Sequence, residues 1–554
     1  VLLIVGIIIL KNQKLENFVE ILSVREKIGQ LLMIAPNGTN FDNDLKRLIE
    51  EYHIGNIKIF GKNYENKKQL LTLNVELQNC SLYNNHSIPM FIATDQEGGW
   101  IAHLKNGFTI PPSNMAIGYN GNTKYAFIAG KIIASELYAV GINVNFAPVV
   151  DLYLDKKNWV IGPRAYSSDK EVVVAMANEF INAHHSYNVL PVIKHYPGQG
   201  RMQVDSHIKP ITNYASYETL LNNELYPFHI LSKCELNGIM IGHISVPAIV
   251  RYIERKEKKN YREDYYLPAT VSDPIIKKYL VKYNKTKSII FSDEISMKGM
   301  SQYYNLNESV YKAIKSGINI VVIDSSYDKI ENLMKYLESK YNTDNEFKQM
   351  VEKSLRKVLE TKLLIFSHIN RIKLFSLKIF HLKRFKFDEK QLDIINSERH
   401  KRMAYSISIE STHILKNRRH LIPLVEMNNF KNLSFTIIDS KKYTEQYVKQ
   451  YTYRTKFIDI KNFKLQNISS DRRCIIIIFI RNKKDASLIY RIYKKNNNLI
   501  VINLLHPYNI TDIKKVDTII CTYSDNSLQV KAGIDVLFSG KKDYKDILSE
   551  SLTF

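Results

Sequence analysis

Three short clusters carry side chains suited to nucleophilic and acid–base chemistry. The densest runs Lys194-His195-Tyr196-Pro197-Gly198-Gln199-Gly200 and continues to Asp205-Ser206-His207. Its Gly and Pro residues read as a loop. Asp205 and His207 lie two residues apart, near enough for the carboxylate to hold one imidazole nitrogen. Such a partner fixes the tautomer, favours the protonated ring and leaves the other nitrogen to give or take a proton. On spacing alone, however, the triplet fits a surface turn or a local hydrogen bond better. The second cluster, Phe291-Ser292-Asp293-Glu294, ends an apolar run. Its acid can attack a ligand or simply cap the following helix. In the third, Thr94-Asp95-Gln96-Glu97-Gly98-Gly99, the paired glycines let the backbone approach a ligand closely, and a structural turn explains them equally well. His195, Asp205 and His207 lack a usual zinc spacing, so no metal is expected.

The elements that must position these residues alternate. Apolar runs at Leu31–Ala35, Asn56–Phe60, Met90–Thr94, Asn143–Ala147, Pro191–His195, Ile239–His243, Ile289–Asp293 and Asn319–Ile323 read as strands. Most of the segments between them are long enough for a helix, as at Lys124–Val140 and Lys170–Tyr187. Eight strand–helix repeats imply a closed (β/α)8 TIM-type barrel. Asp95, Lys194, His195, His243, Asp293 and Asp324 each close or follow one of the apolar runs. That is the C-terminal rim, where barrels do chemistry.

The texture changes near residue 350. Gln349–Phe366 reads as a long helix, Ser367–Lys390 as a basic, aromatic linker, and Asn396–Ile409 as another helix. Ser434–Ile438, Cys474–Ile480, Leu499–Leu504 and Thr518–Cys521 then read as buried parallel strands of a smaller three-layer α/β-sandwich domain. The expected organisation is a signal or anchor remnant over 1–20, the barrel over 21–366, a linker over 367–395 and the sandwich over 396–554.

The chain has 554 residues and a formal charge of +23, but its basic residues are spread along it. Lysine therefore reads as the default solvated residue, with peripheral attraction to an anionic cell-wall or membrane surface as the alternative. Arg251–Lys259 and Arg371–Lys386 are the best candidate patches. Neither carries a nucleic-acid-binding motif, and no nucleic-acid partner is expected. Val1–Leu10 is almost wholly aliphatic. Too short to span a bilayer, it fits the core of a signal peptide, and an extracytoplasmic or membrane-anchored protein is expected, with a cytoplasmic one as the alternative. The four cysteines are widely spaced and expected to be buried free thiols.

Taken together, the clusters resemble glycoside hydrolase family 3, in its β-N-acetylhexosaminidase branch. D-Q-E-G-G at 95–99, K-H-Y-P-G-x-G…D-S-H at 194–207 and F-S-D at 291–293 occur in that family's order, with I-G-x-R at 161–164 similar to its sugar-binding arginine segment. The D-S-H ending separates this branch from the β-glucosidases. The resemblance is strong over about 25–350 and fainter over 400–540. It implies Asp293 as nucleophile and His207, paired with Asp205, as acid/base; it also implies that Asp95, Arg164, Lys194 and His195 bind the sugar. This departs from the usual pair of glycosidase carboxylates, yet an imidazole of reference pKa ~6.5 can serve both proton transfers near neutrality. The implied activity is removal of terminal β-linked N-acetylglucosamine from peptidoglycan fragments or chitooligosaccharides, without a cofactor. A β-glucosidase or glycoside phosphorylase of the same fold and a non-catalytic cell-wall sugar-binding protein are the alternatives. Trp100 and His103 stand where the family usually has arginines, Gln199 where it has His, Glu294 where it has Asp, and Gly540-Lys541-Lys542 where it has Gly-Lys-Leu-Pro. Trp100 reads as core beneath its loop or as an apolar platform for a sugar ring.

Overall fold

The structure is a computed structural model that describes residues 13–203, 209–366, 385, 388–427, 429–505 and 516–540. The eight expected strands all form: β1 (Leu32–Ile34), β2 (Asn56–Lys58), β3 (Phe91–Thr94), β4 (Val144–Asn145), β5 (Leu190–Tyr196), β6 (Gly238–Ile241), β7 (Ile289–Ser292) and β8 (Val321–Ile323). They pair in parallel in the order β7-β6-β5-β4-β3-β2-β1-β8. A parallel bridge from Phe291 to Ile320 joins the two ends and closes the barrel. The helices Thr123–Ala139 and Lys170–His185 lie within two residues of their expected limits. Each starts on an Asn or Asp whose side chain accepts an N–H of the first turn.

The long helix Asn345–Ile365 crosses the N-terminal end of the barrel. Ser354 Oγ donates to the Ile318 carbonyl, and Lys362 Nζ donates to Gln30 Oε1 at 2.8 Å and the Gly55 carbonyl at 3.0 Å. Both lysine partners precede barrel strands. One end of the barrel is thus plugged, and the strand-end residues Asp95, Lys194, His195 and Asp293 sit at the other.

The second sheet holds the four expected strands, β10 (Ser434–Asp439), β12 (Cys474–Ile480), β13 (Leu499–Asn503) and β14 (Thr518–Cys521), with two more at its edges: β9 (His413–Asn417) and β11 (Thr455–Asp459). The order is β9-β14-β13-β12-β10-β11, parallel except for β9. Alternate residues enter separate apolar clusters: Phe435, Ile437, Ile477 and Ile500 on one face, Ile438, Ile476, Ile478 and Val501 on the other. Covering both faces requires helices on each side, which is why these strands read as continuous apolar runs. Of the four free cysteines, Cys474 and Cys521 are buried as expected, whereas Cys80 is half-buried and Cys234 exposed. No helix among the described residues is long and apolar enough to cross a membrane.

The sandwich docks on the barrel's C-terminal rim. Met115, Ala116, Tyr153, Ile161 and Ala165 of the barrel form one cluster with Cys521 and Tyr523. Tyr119 stacks on Tyr523 at 5.4 Å, and Asn120 donates to the Glu410 carbonyl. Trp100 packs against the sandwich cluster that contains Ile438 and Ile478, and it is not part of the lining of the cleft at the barrel's C-terminal rim. Its wide apolar face therefore serves the domain contact rather than a sugar. We expect Trp100→Ala to cost about 1–2 kcal/mol, less than a fully buried aromatic because the ring is half-buried. Thermal melting should show the loss, with KM unchanged; a raised KM at unchanged melting temperature would return Trp100 to the sugar.

Candidate active site

A cleft of about 310 Å³ opens at the C-terminal ends of the barrel strands. That is the low end of the ~300–1,000 Å³ typical of small-molecule sites and gives room for about one sugar ring. Its lining includes Lys58, Asp95, Glu97, His103, Arg164, Lys194, His195, Asp293 and Asp324. Five residues singled out for the site from sequence — Asp95, Arg164, Lys194, His195 and Asp293 — are thus brought together. Asp205 and His207 fall in residues 204–208, outside the described residues.

Asp95 and Glu97 flank Gln96, whose side chain is pinned to both backbone groups of Leu104 and whose N–H is held by Asn145. Gly99 turns the hairpin with φ +57, and a Cβ there would lie 2.5 Å from that of Ser113. That position needs glycine. The ladder between β5 and β6 is interrupted between Ile193 and Tyr196. Such a break re-aims side chains, and here Lys194 and His195 turn into the cleft.

Lys194 is 2% exposed and bonds Asp95 at 2.6 Å and Glu97 at 2.7 Å. Arg164 closes the chain with a bidentate pair to Glu97 at 2.8 and 2.9 Å, and Lys58 meets Asp95 at 2.9 Å. His103 Nε2 lies 3.4 Å from Asp95. Burial by itself raises the Asp95 and Glu97 carboxyls, but Lys194 and Lys58 outweigh it at Asp95, and Arg164 and Lys194 do so at Glu97, so both stay below the usual carboxylate range. Burial likewise disfavours the Lys194 cation, yet Asp95 and Glu97 hold its pKa above the ordinary value. The result is a fixed lattice of donors and acceptors, suited to orienting a polyhydroxylated ring.

Asp151, which sequence reading missed, anchors this lattice. It accepts from the His195 N–H at 3.1 Å, from His195 Nδ1 at 2.7 Å and from the Gln199 N–H at 2.6 Å. With its proton on Nδ1, His195 offers Nε2 as an acceptor to Arg164 at 3.3 Å. Asn158 ties the arginine's loop to the Gln199 and Gly200 carbonyls. Gly200 is needed because a Cβ would run into the Leu152 carbonyl. Asp151→Ala leaves at least two buried backbone donors unpaired, so we expect a loss of about 2–4 kcal/mol in chemical denaturation. A change within ±0.5 kcal/mol would show that Asp151 is no anchor.

Asp293 continues β7 by donating its N–H to the Ile241 carbonyl, and its Oδ1 accepts the Glu294 N–H at 2.8 Å. It has no ion pair among the described residues. Burial pulls its pKa up, but nearby His195, His243 and Lys58 outweigh this and keep it below the usual value. The group is an ionised carboxylate facing the cleft. Glu294, by contrast, spends its side chain on the Ser296 and Asp324 backbone N–H groups. Behind the cleft His243 Nε2 donates to the Glu294 carbonyl at 2.8 Å and its Nδ1 shares a hydrogen bond with the Thr270 hydroxyl at 2.7 Å, so it supports the β7 loop. Asp324 is paired with Lys62 at 2.8 Å.

The model for the Glycosyl hydrolase family 3 N terminal domain matches residues 23–361. A protein named Beta-hexosaminidase A from Pseudoalteromonas piscicida is 28% identical over 371 residues, a match spanning 62% of this chain and 62% of that relative. A Beta-hexosaminidase from Nitrosomonas eutropha is 28% identical over 321 residues, covering 57% of this chain and 86% of the relative. Among solved structures, a family 3 β-N-acetylglucosaminidase from Paenibacillus sp. FPU-7 superposes with TM-score 0.78 at 23% identity, covering 94% of this chain and 97% of that one. A β-glucoside phosphorylase gives TM-score 0.79 at 18% identity, covering 95% and 94%. These likenesses extend the shared fold across both domains.

Proposed function

The chain belongs to glycosyl hydrolase family 3, and from that premise we propose that it is a retaining exo-β-N-acetylhexosaminidase acting on peptidoglycan fragments or chitooligosaccharides. The observation that carries this reading is a contrast among the cleft's carboxylates. Asp95, Glu97 and Asp324 are each tied to a lysine or arginine and Glu294 to the Ser296 and Asp324 backbone N–H groups, whereas Asp293 is ionised, has no ion pair among the described residues and accepts only the neighbouring Glu294 N–H. A carboxylate in that state is free to act as a nucleophile. The small cleft fits removal of a single terminal sugar, and the relatives named beta-hexosaminidases support N-acetylglucosamine as that sugar.

In this reaction Asp293 attacks the anomeric carbon while His207, held by Asp205, protonates the departing oxygen. The bond to the aglycone breaks, leaving a glycosyl ester on Asp293. His207 then takes a proton from water, whose oxygen attacks the same carbon and releases the carboxylate. Two inversions give retention. Asp95, Arg164, Lys194 and His195 hold the hydroxyls and the N-acetyl group, and no cofactor enters. Residues 21–366 make up the catalytic unit, 367–395 the linker and 396–554 an accessory domain, and the aliphatic Val1–Leu10 supports an exported or membrane-anchored protein.

The test sets chromogenic β-N-acetylglucosaminide against β-glucoside, each with and without inorganic phosphate. We expect the N-acetylated substrate to be favoured at least ~100-fold, well inside the ~10⁴–10⁵-fold that a site built to pair a substrate polar group can reach, with no dependence on phosphate. A preference for glucoside, or formation of a sugar phosphate, would replace the reading.

A further inference from the structure

Most of the basic stretch Arg371–Lys386 lies outside the described residues, and Arg251–Lys259 carries Glu254 and Glu257 between its cations and takes no part in the cleft lining. A cation with unspent hydrogen-bonding capacity lies in the cleft itself. Lys58 is the last residue of β2, flanked by Ile57 and Ile59, and is 5% exposed. An ammonium has three N–H donors. Among the described residues Lys58 Nζ has one polar partner, Asp95 Oδ2 at 2.9 Å. Its other neighbours are aromatic faces, with the ring centroid of Phe60 at 4.4 Å and that of Phe146 at 5.1 Å. The rings attract the charge but leave N–H groups for a stronger acceptor.

Asp95 does not depend on Lys58 for its place. Lys194 already bonds its Oδ1 at 2.6 Å, and His103 Nε2 stands 3.4 Å from its Oδ2. A carboxylate offers about four acceptor positions, so Asp95 has room for one more donor besides these three. Setting a second ammonium among aliphatic and aromatic side chains is costly unless it gains further partners. The open side of Lys58 is the cleft, which it lines together with Phe60. The same corner is tied to the nucleophile's strand, because Phe146 meets Phe291 edge-on at 5.5 Å, two residues before Asp293. Burial raises the Asp293 pKa, and the charge of Lys58 acts with those of His195 and His243 to hold it down. The ammonium is thus within reach of one carboxylate by contact and of the other by its field.

We propose that Lys58 is a substrate-binding residue: its ammonium donates to one ring hydroxyl of the terminal N-acetylglucosamine, Asp95 accepts from that same hydroxyl, and the pair holds the ring against Asp293. The proposal rests on the hexosaminidase reading and deepens it, since Lys58 is not among the sugar-binding residues that the family resemblance implies. A donor and an acceptor on one hydroxyl read its position and orientation together, which a single partner does not.

The test compares a chromogenic N-acetylglucosaminide with three analogues, each lacking one hydroxyl of the sugar, in the parent, Lys58→Met and Lys58→Gln. In the parent, loss of the hydroxyl that Lys58 holds should lower kcat/KM about 10–100-fold, the scale of a hydrogen bond to a charged group. In Lys58→Met that same loss should cost less than about 3-fold, while the penalties for the other two hydroxyls stay within about 3-fold of the parent's. Lys58→Gln keeps a neutral donor and should show an intermediate penalty. Both variants remove a cation near Asp293, whose pKa should rise, so the acid limb of kcat/KM should move to higher pH. Should Lys58→Met fail to fold, Lys58→Gln reads the same penalties. The parent's hydrolysis of the unmodified N-acetylglucosaminide tests the hexosaminidase reading separately, so a failure there is told apart from a failure of Lys58. Penalties unchanged from the parent, all three penalties falling together, or an acid limb that stays in place would each overturn the assignment.

Discussion

Asp293→Asn should lower kcat/KM by at least ~10³-fold, about 4 kcal/mol of transition-state stabilisation. The amide matches the carboxylate in shape and can still accept the Glu294 N–H, so the β7 loop should hold its geometry. What disappears is the negative charge that His195, His243 and Lys58 keep ionised. An amide is a poor nucleophile and cannot stabilise the developing positive charge on the sugar. The same substitution has a small, signed effect on stability. A carboxyl whose folded pKa is depressed adds stability above its unfolded value of about 3.9 and loses it as pH falls through the folded value. The Asn variant should therefore melt slightly below the parent at neutral pH, with the gap closing in acid. Near-normal turnover in a folded Asn variant would remove Asp293 from the mechanism.

His207→Ala should divide substrates by leaving group. Glycosides of poor leaving groups need a proton on the departing oxygen and should slow by about 10²–10⁴-fold, whereas activated aryl glycosides should form the glycosyl ester at nearly the parent rate. Asp205→Asn should give a milder form of the same selectivity. Removing its charge lowers the imidazole pKa, so the alkaline limb of kcat/KM should move to lower pH. Pre-steady-state kinetics across a leaving-group series reads both effects. Equal losses on every substrate in both variants would make His207 a structural residue.

Much of this was legible because strand ends in a parallel barrel are marked by a change of polarity. β3, β5 and β7 each run from aliphatic residues into Asp95, Lys194-His195 or Asp293, and the structure gathers those residues in one cleft. Asp151 carried the same mark after Val149-Val150, but the strand itself is only two residues long and the acid lies six residues beyond it. Lys58 was hidden by composition: one lysine among many gave no sign that it was buried against Asp95. Trp100 could be read only with the second domain in place, since its partners lie more than 300 residues away. The edge strands His413–Asn417 and Thr455–Asp459 were missed for the opposite reason. Edges are partly exposed, and their mixed apolar and polar residues lack the continuous apolar run that marked the central strands.

The most direct measurement is to trap the glycosyl-enzyme with a slow fluorinated N-acetylglucosaminide and map the modified peptide by mass spectrometry. The account predicts one sugar per chain, attached through an ester to Asp293 in the segment that ends β7, with label absent from Asp293→Asn. A label on any other residue, or full turnover of the fluorosugar with no covalent species at any time, would contradict it.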